Sequence, residues 1–438
     1  MQGSQTVSAP RFGGASSYSP VGRTEFALLI LVLLVFSEGI LPRLVSSDQS
    51  SDGSPLLRYL WLPIYALAAA GTIWKLREIA SVCLKLPFLM GLLAVCAVSF
   101  AWSIEPGLTQ RRSFAIIMTT LAGLYIGTRY SWKTMLRAIA IAWFIVALSS
   151  FLTALLNPSF GRMQEVHIGA WQGLFYEKNQ LGGMMARAGL FAAFLCIMDR
   201  QYRWPWAGLV ALSVLLILLS TSKTALLGIL LGLGVVGAAA FMKRGLSTGL
   251  VVIWLSTIAL GIGAALLIFA PELIFQFLGR DMTLTGRTDI WIVLIDYIEQ
   301  RPLLGYGYGA FWAPDSDPGN WVREALQWDA PTAHNGWMEV TLALGLVGLF
   351  FLAMDFIMTA IRATMASIDT WTGVLALGFC AQFFLFSLSE STSLQQNSII
   401  WVLYVAMAAK LTLRPKGVAM IKPARLPAQR PKMPLGLT

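Results

Sequence analysis

The stretch 206–242, WAGLVALSVLLILLSTSKTALLGILLGLGVVGAAAFM, decides the fold class. It consists of two apolar runs, 206–221 and 224–242, joined by the tight polar turn Ser220-Thr221-Ser222-Lys223. Lys223 is its one charged residue. A helix needs about 20 apolar residues to cross a bilayer, and only helices and closed barrels satisfy their backbone groups there. The pair reads as two transmembrane helices meeting at a short turn. The 438-residue chain agrees, with 57% apolar residues, 12% charged residues and a mean hydropathy of +0.68. A soluble globular chain is roughly 25% charged. The composition therefore excludes a disordered protein, a coiled coil and an ordinary cytosolic enzyme.

Working outward, further apolar stretches occur at 24–41, 56–74, 84–101, 113–128, 136–156, 180–198, 249–271, 336–360, 371–390 and 394–413. With the first pair they predict an all-α polytopic membrane protein of about twelve spans, both termini on one side. Nine spans fall within 24–271 and three within 336–413. Residues 1–23 are expected to form a disordered arm and 414–438 a basic, proline-containing tail. Placing both termini in the cytoplasm puts 20 of the 32 Lys and Arg inside, and every inner loop then carries one. The net charge of +10 is thereby read as topology, with no nucleic acid partner. Cys83, Cys96, Cys196 and Cys380 lie in or beside apolar runs, without metal or disulfide spacing, and read as packing residues.

One connection differs from the rest. Residues 272–335 form a long outer loop, and loops of that length are either functional or disordered. Within it, 288–300 (TDIWIVLIDYIEQ) has helical spacing. Ile290, Val293, Leu294, Tyr297 and Ile298 share one face, with Asp289, Asp296 and Glu299 opposite. The expectation is an amphipathic helix on the outer membrane surface. The following Gly305-Tyr306-Gly307-Tyr308-Gly309 is expected to be a flexible loop whose rings suit sugars.

Four outer helix starts carry polar and basic groups. They are Glu177-Lys178-Asn179-Gln180, Ser220-Thr221-Ser222-Lys223, Thr285-Gly286-Arg287 and Ala333-His334-Asn335-Gly336. A helix N-terminus offers free N–H groups and about half a positive charge, so such ends suit an anion. At a water–lipid boundary the anion would be a phosphate-bearing lipid. Taken singly, Lys223 also reads as a snorkelling lysine, Arg287 as a partner of Asp289 or Asp281, His334 as a cap, and Lys178 as a partner of Glu177. Arg187 lies roughly 12 Å inside a span, where a charge is costly; it pairs with a carbonyl or with Glu390. Glu390, at the outer end of its span, is a candidate base or a cation's partner. His167 is either a phosphate or sugar ligand or a surface histidine. No metal signature is present.

Gly286-Arg287-Thr288-Asp289-Ile290-Trp291, with Arg301-Pro302-Leu303-Leu304-Gly305-Tyr306-Gly307, resembles the signature region of the O-antigen ligase and polymerase superfamily. So do His334-Asn335-Gly336 with 341–349 (TLALGLVGL), Gly173-Leu174-Phe175 with Lys178-Asn179, Ser222-Lys223-Thr224-Ala225, and Glu390-Ser391 with Asn397 and Trp401. The resemblance covers roughly 160–401. It implies a multi-span, cofactor-free and metal-independent glycosyltransferase of the bacterial inner membrane, working at the periplasmic face. Its donor would be a glycan on undecaprenyl diphosphate. Its acceptor would be another lipid-linked repeat in a polymerase, or lipid A-core in a ligase.

By the same resemblance, Arg287 and Lys223 clamp the diphosphate; Arg187, read from its place inside a span, is a weaker third candidate, with Lys178 and Asn179 further diphosphate candidates. His334 is essential, as phosphate donor or as base, with Glu390 the rival base. Asn335, His167 and Trp312 are candidate sugar contacts. Lys223 stands where ligases of the superfamily commonly have Arg, whose fork can hold a phosphate bidentately. That departure favours the exopolysaccharide-polymerase branch. A transporter of polysaccharide or lipid-linked oligosaccharide is the alternative of another class; it should show repeats and paired broken spans.

Overall fold

The computed structural model describes residues 19–39, 43, 55–165, 167–243, 245, 249, 287–327 and 330–413. Among the described residues the regular elements are helices, with one isolated bridge between Arg162 and Trp171. The first six are α1 (Arg23–Phe36), α2 (Pro55–Trp74), α3 (Leu76–Cys83), α4 (Pro87–Val98), α5 (Pro106–Arg129) and α6 (Trp132–Leu156). A single turn, α7 (Pro158–Gly161), precedes α8 (Lys178–Met198), α9 (Arg203–Leu219) and α10 (Lys223–Met242). Then come α11 (Arg287–Gln300), α12 (Asp317–Leu326), α13 (Gly336–Asp369), α14 (Trp371–Ser389) and α15 (Ile399–Thr412).

The starts are encoded locally. Pro87, Pro106 and Pro158 begin α4, α5 and α7, where a missing N–H costs nothing. Ser131, Ser222, Thr370 and Ser398 cap α6, α10, α14 and α15 by accepting an early amide of the helix.

Each expected span coincides at least in part with a helix except 249–271, which lies outside the described residues apart from Gly249. Among the described residues, six helices are long and apolar enough to cross a membrane: α6, α8, α9 with the turn before it, α10, α13 and α14. The pair α3 and α4, bent by 96°, makes a seventh if counted as one span. This count is below twelve for visible reasons. Helices α1 and α15 have 14 residues each, and α5 carries Arg111, Arg112 and Arg129. The stretch 84–101 is the second limb of a bent pair, because Pro87 starts a new helix.

Chain segments expected on the inner side meet one another. Arg129 pairs with Glu25 at 2.8 Å and donates to the Ser19 and Pro20 carbonyls. Arg137 holds both oxygens of Asp199 at 2.6 Å. Lys410 donates to the Tyr130 carbonyl, and Arg362 to that of Lys85. Between the two ends, Trp143, Trp401, Tyr404, Phe379 and Phe383 are fully buried. Helices α5 and α15 approach closely at Gly123 and Gly127. A Cβ there would lie 2.8 Å from the Val402 carbonyl and 2.7 Å from that of Ala406.

Helix α13 is broken. Gly345 sits at φ 65°, ψ −165°, which interrupts the ladder of hydrogen bonds. Segment 302–307 fills the gap. The Tyr306 and Gly307 amides donate to the Leu342 and Ala343 carbonyls at 2.8 and 2.9 Å. The Leu346 and Val347 amides donate to the Pro302 and Leu303 carbonyls at 2.7 and 3.2 Å. Buried backbone groups at a helix break need such partners. The contact admits no side chain: a Cβ on Gly345 would lie 2.2 Å from the Leu303 carbonyl, and one on Gly305 would lie 2.4 Å from that of Leu342. The expected span 336–360 is therefore a short helix, 336–344, followed by a longer one, 346–369.

Two further expectations are corrected. The glycine–tyrosine loop is not a flexible sugar platform. Tyr306 and Tyr308 are 4% and 5% exposed. Their hydroxyls donate to the Tyr297 and Leu394 carbonyls, at 2.9 and 2.7 Å. Helix α11 forms where expected, but its apolar face does not rest on lipid. Ile290 and Leu294 pack with Tyr306, Phe311, Val322 and Leu342, since α12 and the loop supply a cover. Asp289, Asp296 and Glu299 face outward.

Candidate functional site

Three residues distant in sequence converge at the end of the bundle expected to lie outside. Helix α11 begins with Arg287, α14 ends just before Glu390, and the turn ahead of α13 carries His334. Arg287 Nη2 lies 3.0 Å from Glu390 Oε1, and His334 Nδ1 lies 3.6 Å from Glu390 Oε2. One carboxylate thus serves a guanidinium and an imidazole. The side chains of Arg287 and Glu390 are 10% and 16% exposed, enough for a solute to reach them. Arg287 does not use its sequence neighbour Asp289 for this pair; its partner lies 103 residues away.

Glu339, which the sequence reading missed, is the second carboxylate here. It accepts from the Ala333 amide at 2.5 Å, from Trp312 Nε1 at 3.1 Å and from Ser391 Oγ at 3.2 Å. It therefore ties the His334 turn, the outer segment and the Glu390 loop together. Its signal in the sequence is an acid in the first turn of a helix, at the positive end of the dipole. Trp312, a candidate sugar contact, spends its N–H on Glu339. Asn335 spends its carbonyl oxygen on the Trp337 and Met338 amides, as the cap of α13.

A second group gathers where α8 and α10 begin. Ser222 Oγ donates to Asn179 Oδ1 at 2.9 Å, and Lys178 Nζ donates to Thr221 Oγ1 at 3.3 Å. Gly182 permits this proximity, since a Cβ there would lie 2.9 Å from that of Ser222. Lys223, first in α10, stands next to Ser222. His167 lies on the adjoining loop. Burial, and then the charge of Lys178, hold its imidazole below the ordinary histidine range.

Arg187 connects the two groups. It is 1% exposed and stacks on Phe386, with its guanidinium carbon 4.2 Å from the ring centre. One nitrogen donates to the Gly183 carbonyl at 3.0 Å, and the charge of Glu390 reaches it. Its Nε and Nη2 are buried and find no hydrogen-bond acceptor among the described residues. A buried guanidinium in that condition is costly unless an anion completes it.

The backbone is strained around these groups. His334 (φ 48°), Thr221 (52°), Leu394 (54°) and Asn397 (62°) occupy the left-handed region without being glycine. A β-branched residue such as Thr221 is uncommon there, and strain of this kind gathers at functional sites. Arg43 is another residue the sequence reading missed. It donates to the Gly173 and Phe175 carbonyls at 3.1 and 2.7 Å and so fastens the loop leading to Lys178. Among the described residues, no group of three His, Cys, Asp or Glu could hold a metal ion.

Comparison with known proteins bears on the same region. Residues 208–353 match the family model described as O-Antigen ligase. The matched stretch contains Lys223, Arg287, His334 and Glu339. The chain is also 26% identical over 358 residues to the exopolysaccharide production protein ExoQ of Rhizobium meliloti (strain 1021), a match spanning 78% of each chain. The chain is thus a multi-pass membrane protein that resembles the O-antigen ligase superfamily through its central region and an exopolysaccharide production protein over most of its length.

Proposed function

We propose that the protein is a glycosyltransferase of the bacterial inner membrane that moves a glycan from undecaprenyl diphosphate to an acceptor sugar at the periplasmic face, polymerising exopolysaccharide repeat units. The convergence of Arg287, His334 and Arg187 around Glu390 is the observation that carries this reading. Diphosphate is a good leaving group only if its charge is met. Cations fixed in a site of low dielectric meet it more strongly as charge develops in the transition state.

In the reaction, an acceptor hydroxyl oxygen bonds to the anomeric carbon of the donor. The bond from that carbon to the phosphate oxygen breaks, and undecaprenyl diphosphate leaves with the electron pair. The hydroxyl proton passes to His334, which Glu390 orients through Nδ1. Arg287 and Arg187 hold the diphosphate, with Lys223, Lys178 and Asn179 at the neighbouring helix starts. No step requires a metal or a cofactor.

The test uses purified protein in lipid with undecaprenyl-diphosphate-linked repeats and EDTA. A ladder of lengthened lipid-linked glycan, lost in Arg287→Ala and His334→Ala, is expected. Glycan appearing only when lipid A-core is supplied would convert the reading to a ligase. Activity surviving both substitutions would remove the site, and no transfer to either acceptor would leave transport as the role.

A further inference from the structure

We infer that Glu390 occupies the place of a donor phosphate in the empty site, so that donor binding displaces it from Arg287. The inference rests on the diphosphate reading above and adds a gating step to it.

A cluster of cations in a partly dry site needs a counter-ion when no substrate is present. Among the described residues, the carboxylate that touches Arg287 is that of Glu390. It presents one oxygen to Arg287 at 3.0 Å and the other toward His334 at 3.6 Å, and its charge reaches Arg187. It thus stands among the same three groups that the diphosphate would engage. A carboxylate oxygen on a guanidinium nitrogen stands where a phosphate oxygen can also stand. The carboxylate is singly charged and sits just past the end of α14. A diphosphate, with more charge and more acceptor oxygens, outcompetes it for Arg287. The displaced carboxylate stays beside His334, its other neighbour. Donor binding then leaves Glu390 to His334 alone. Arg187 contributes the unmatched donors, since Nε and Nη2 lack acceptors among the described residues.

A place-holding anion has a distinctive consequence: removing it strengthens binding, because the cation no longer has to leave a partner. The experiment measures binding of undecaprenyl diphosphate to the full-length protein in nanodiscs, with Glu390→Gln, Glu390→Ala and Arg287→Ala in parallel. Glu390→Gln and Glu390→Ala should bind about tenfold tighter than the unaltered protein, the size of one charge-assisted hydrogen bond no longer in competition. Glycan transfer by both should fall, and Arg287→Ala should bind more weakly. A gain in affinity cannot arise from misfolding. If the unaltered protein binds and both Glu390 variants bind equally or more weakly, the place-holder idea is overturned while the diphosphate reading stands. If no variant binds, both are overturned.

Discussion

The two ends of the helical bundle treat their cations differently. At the end expected to lie inside, Arg137 holds both oxygens of Asp199, which also meets Lys133 at 4.0 Å and the Trp206 N–H at 3.3 Å; Arg129 has Glu25 and two carbonyls, and Arg362 and Lys410 each hold a carbonyl. These charges sit at helix ends and tie neighbouring segments together. At the opposite end Glu390 meets Arg287 with one oxygen and faces His334 with the other, Glu339 stands beside them, and several of the loops around them are held in left-handed backbone conformations. The contrast separates two uses of positive charge in one chain. At the first end cations join neighbouring helix ends, whereas at the second one carboxylate faces both Arg287 and His334, and two buried nitrogens of Arg187 find no acceptor among the described residues.

Substitution at each end tests that contrast. The largest effect is expected from Arg287→Ala and His334→Ala, which should each lower glycan transfer by about 10²–10³ fold while barely moving the thermal midpoint. Measuring turnover and unfolding on the same samples checks this; a large loss of stability would make the outer cations structural too.

Gly345→Ala should follow. It forces a non-glycine residue to φ 65°, costing about 1–2 kcal/mol, and drives a methyl into the Leu303 carbonyl. Thermal unfolding should show the loss, with activity falling because Glu339 sits on the displaced helix and His334 on the turn ahead of it.

The inner end should respond in the opposite manner. Arg137→Ala should lower the thermal midpoint and leave turnover per folded molecule unchanged. Burial alone would raise the Asp199 carboxyl, but the hydrogen bonds and charge of Arg137 outweigh it and hold the group below the ordinary aspartate value. The stabilisation is therefore present above about pH 4 and is lost as pH falls further. The unaltered protein should lose midpoint across that acid range, and the variant should lose less. The smallest effect belongs to His167→Ala, expected to change the donor KM by less than about twofold as a surface substitution.

Much of this was legible in the sequence for physical reasons. Apolar runs long enough to cross a bilayer announce helices, and Ser222 and Asn335 announce where two of them start. Arg287 and His334 stood out because charge at an outer helix start is conspicuous in so apolar a chain. Other features were not legible. Arg287 and Glu390 are 103 residues apart, and nothing local marks the pairing. The Gly305–Gly309 run looked flexible because glycine is permissive, yet here its missing side chains allow tight packing. The break at Gly345 was invisible, since a glycine inside TLALGLVGL is ordinary for a membrane helix. Glu339 looked like a helix-dipole acid, and only the fold shows it joining three segments.

The patch at Gly345 also sets an order for making the protein. Residues 302–307 leave the ribosome before 342–347, so the segment that supplies the missing hydrogen bonds precedes the helix that requires them. The first amides of the 346–369 helix cannot be satisfied within that helix, and in a bilayer they need the Pro302 and Leu303 carbonyls. Seating of that late span is therefore coupled to prior docking of residues 302–307. A lesion in 302–307 should appear first as a failure of biogenesis, with the later span exposed to quality control, before any defect in sugar chemistry could be seen.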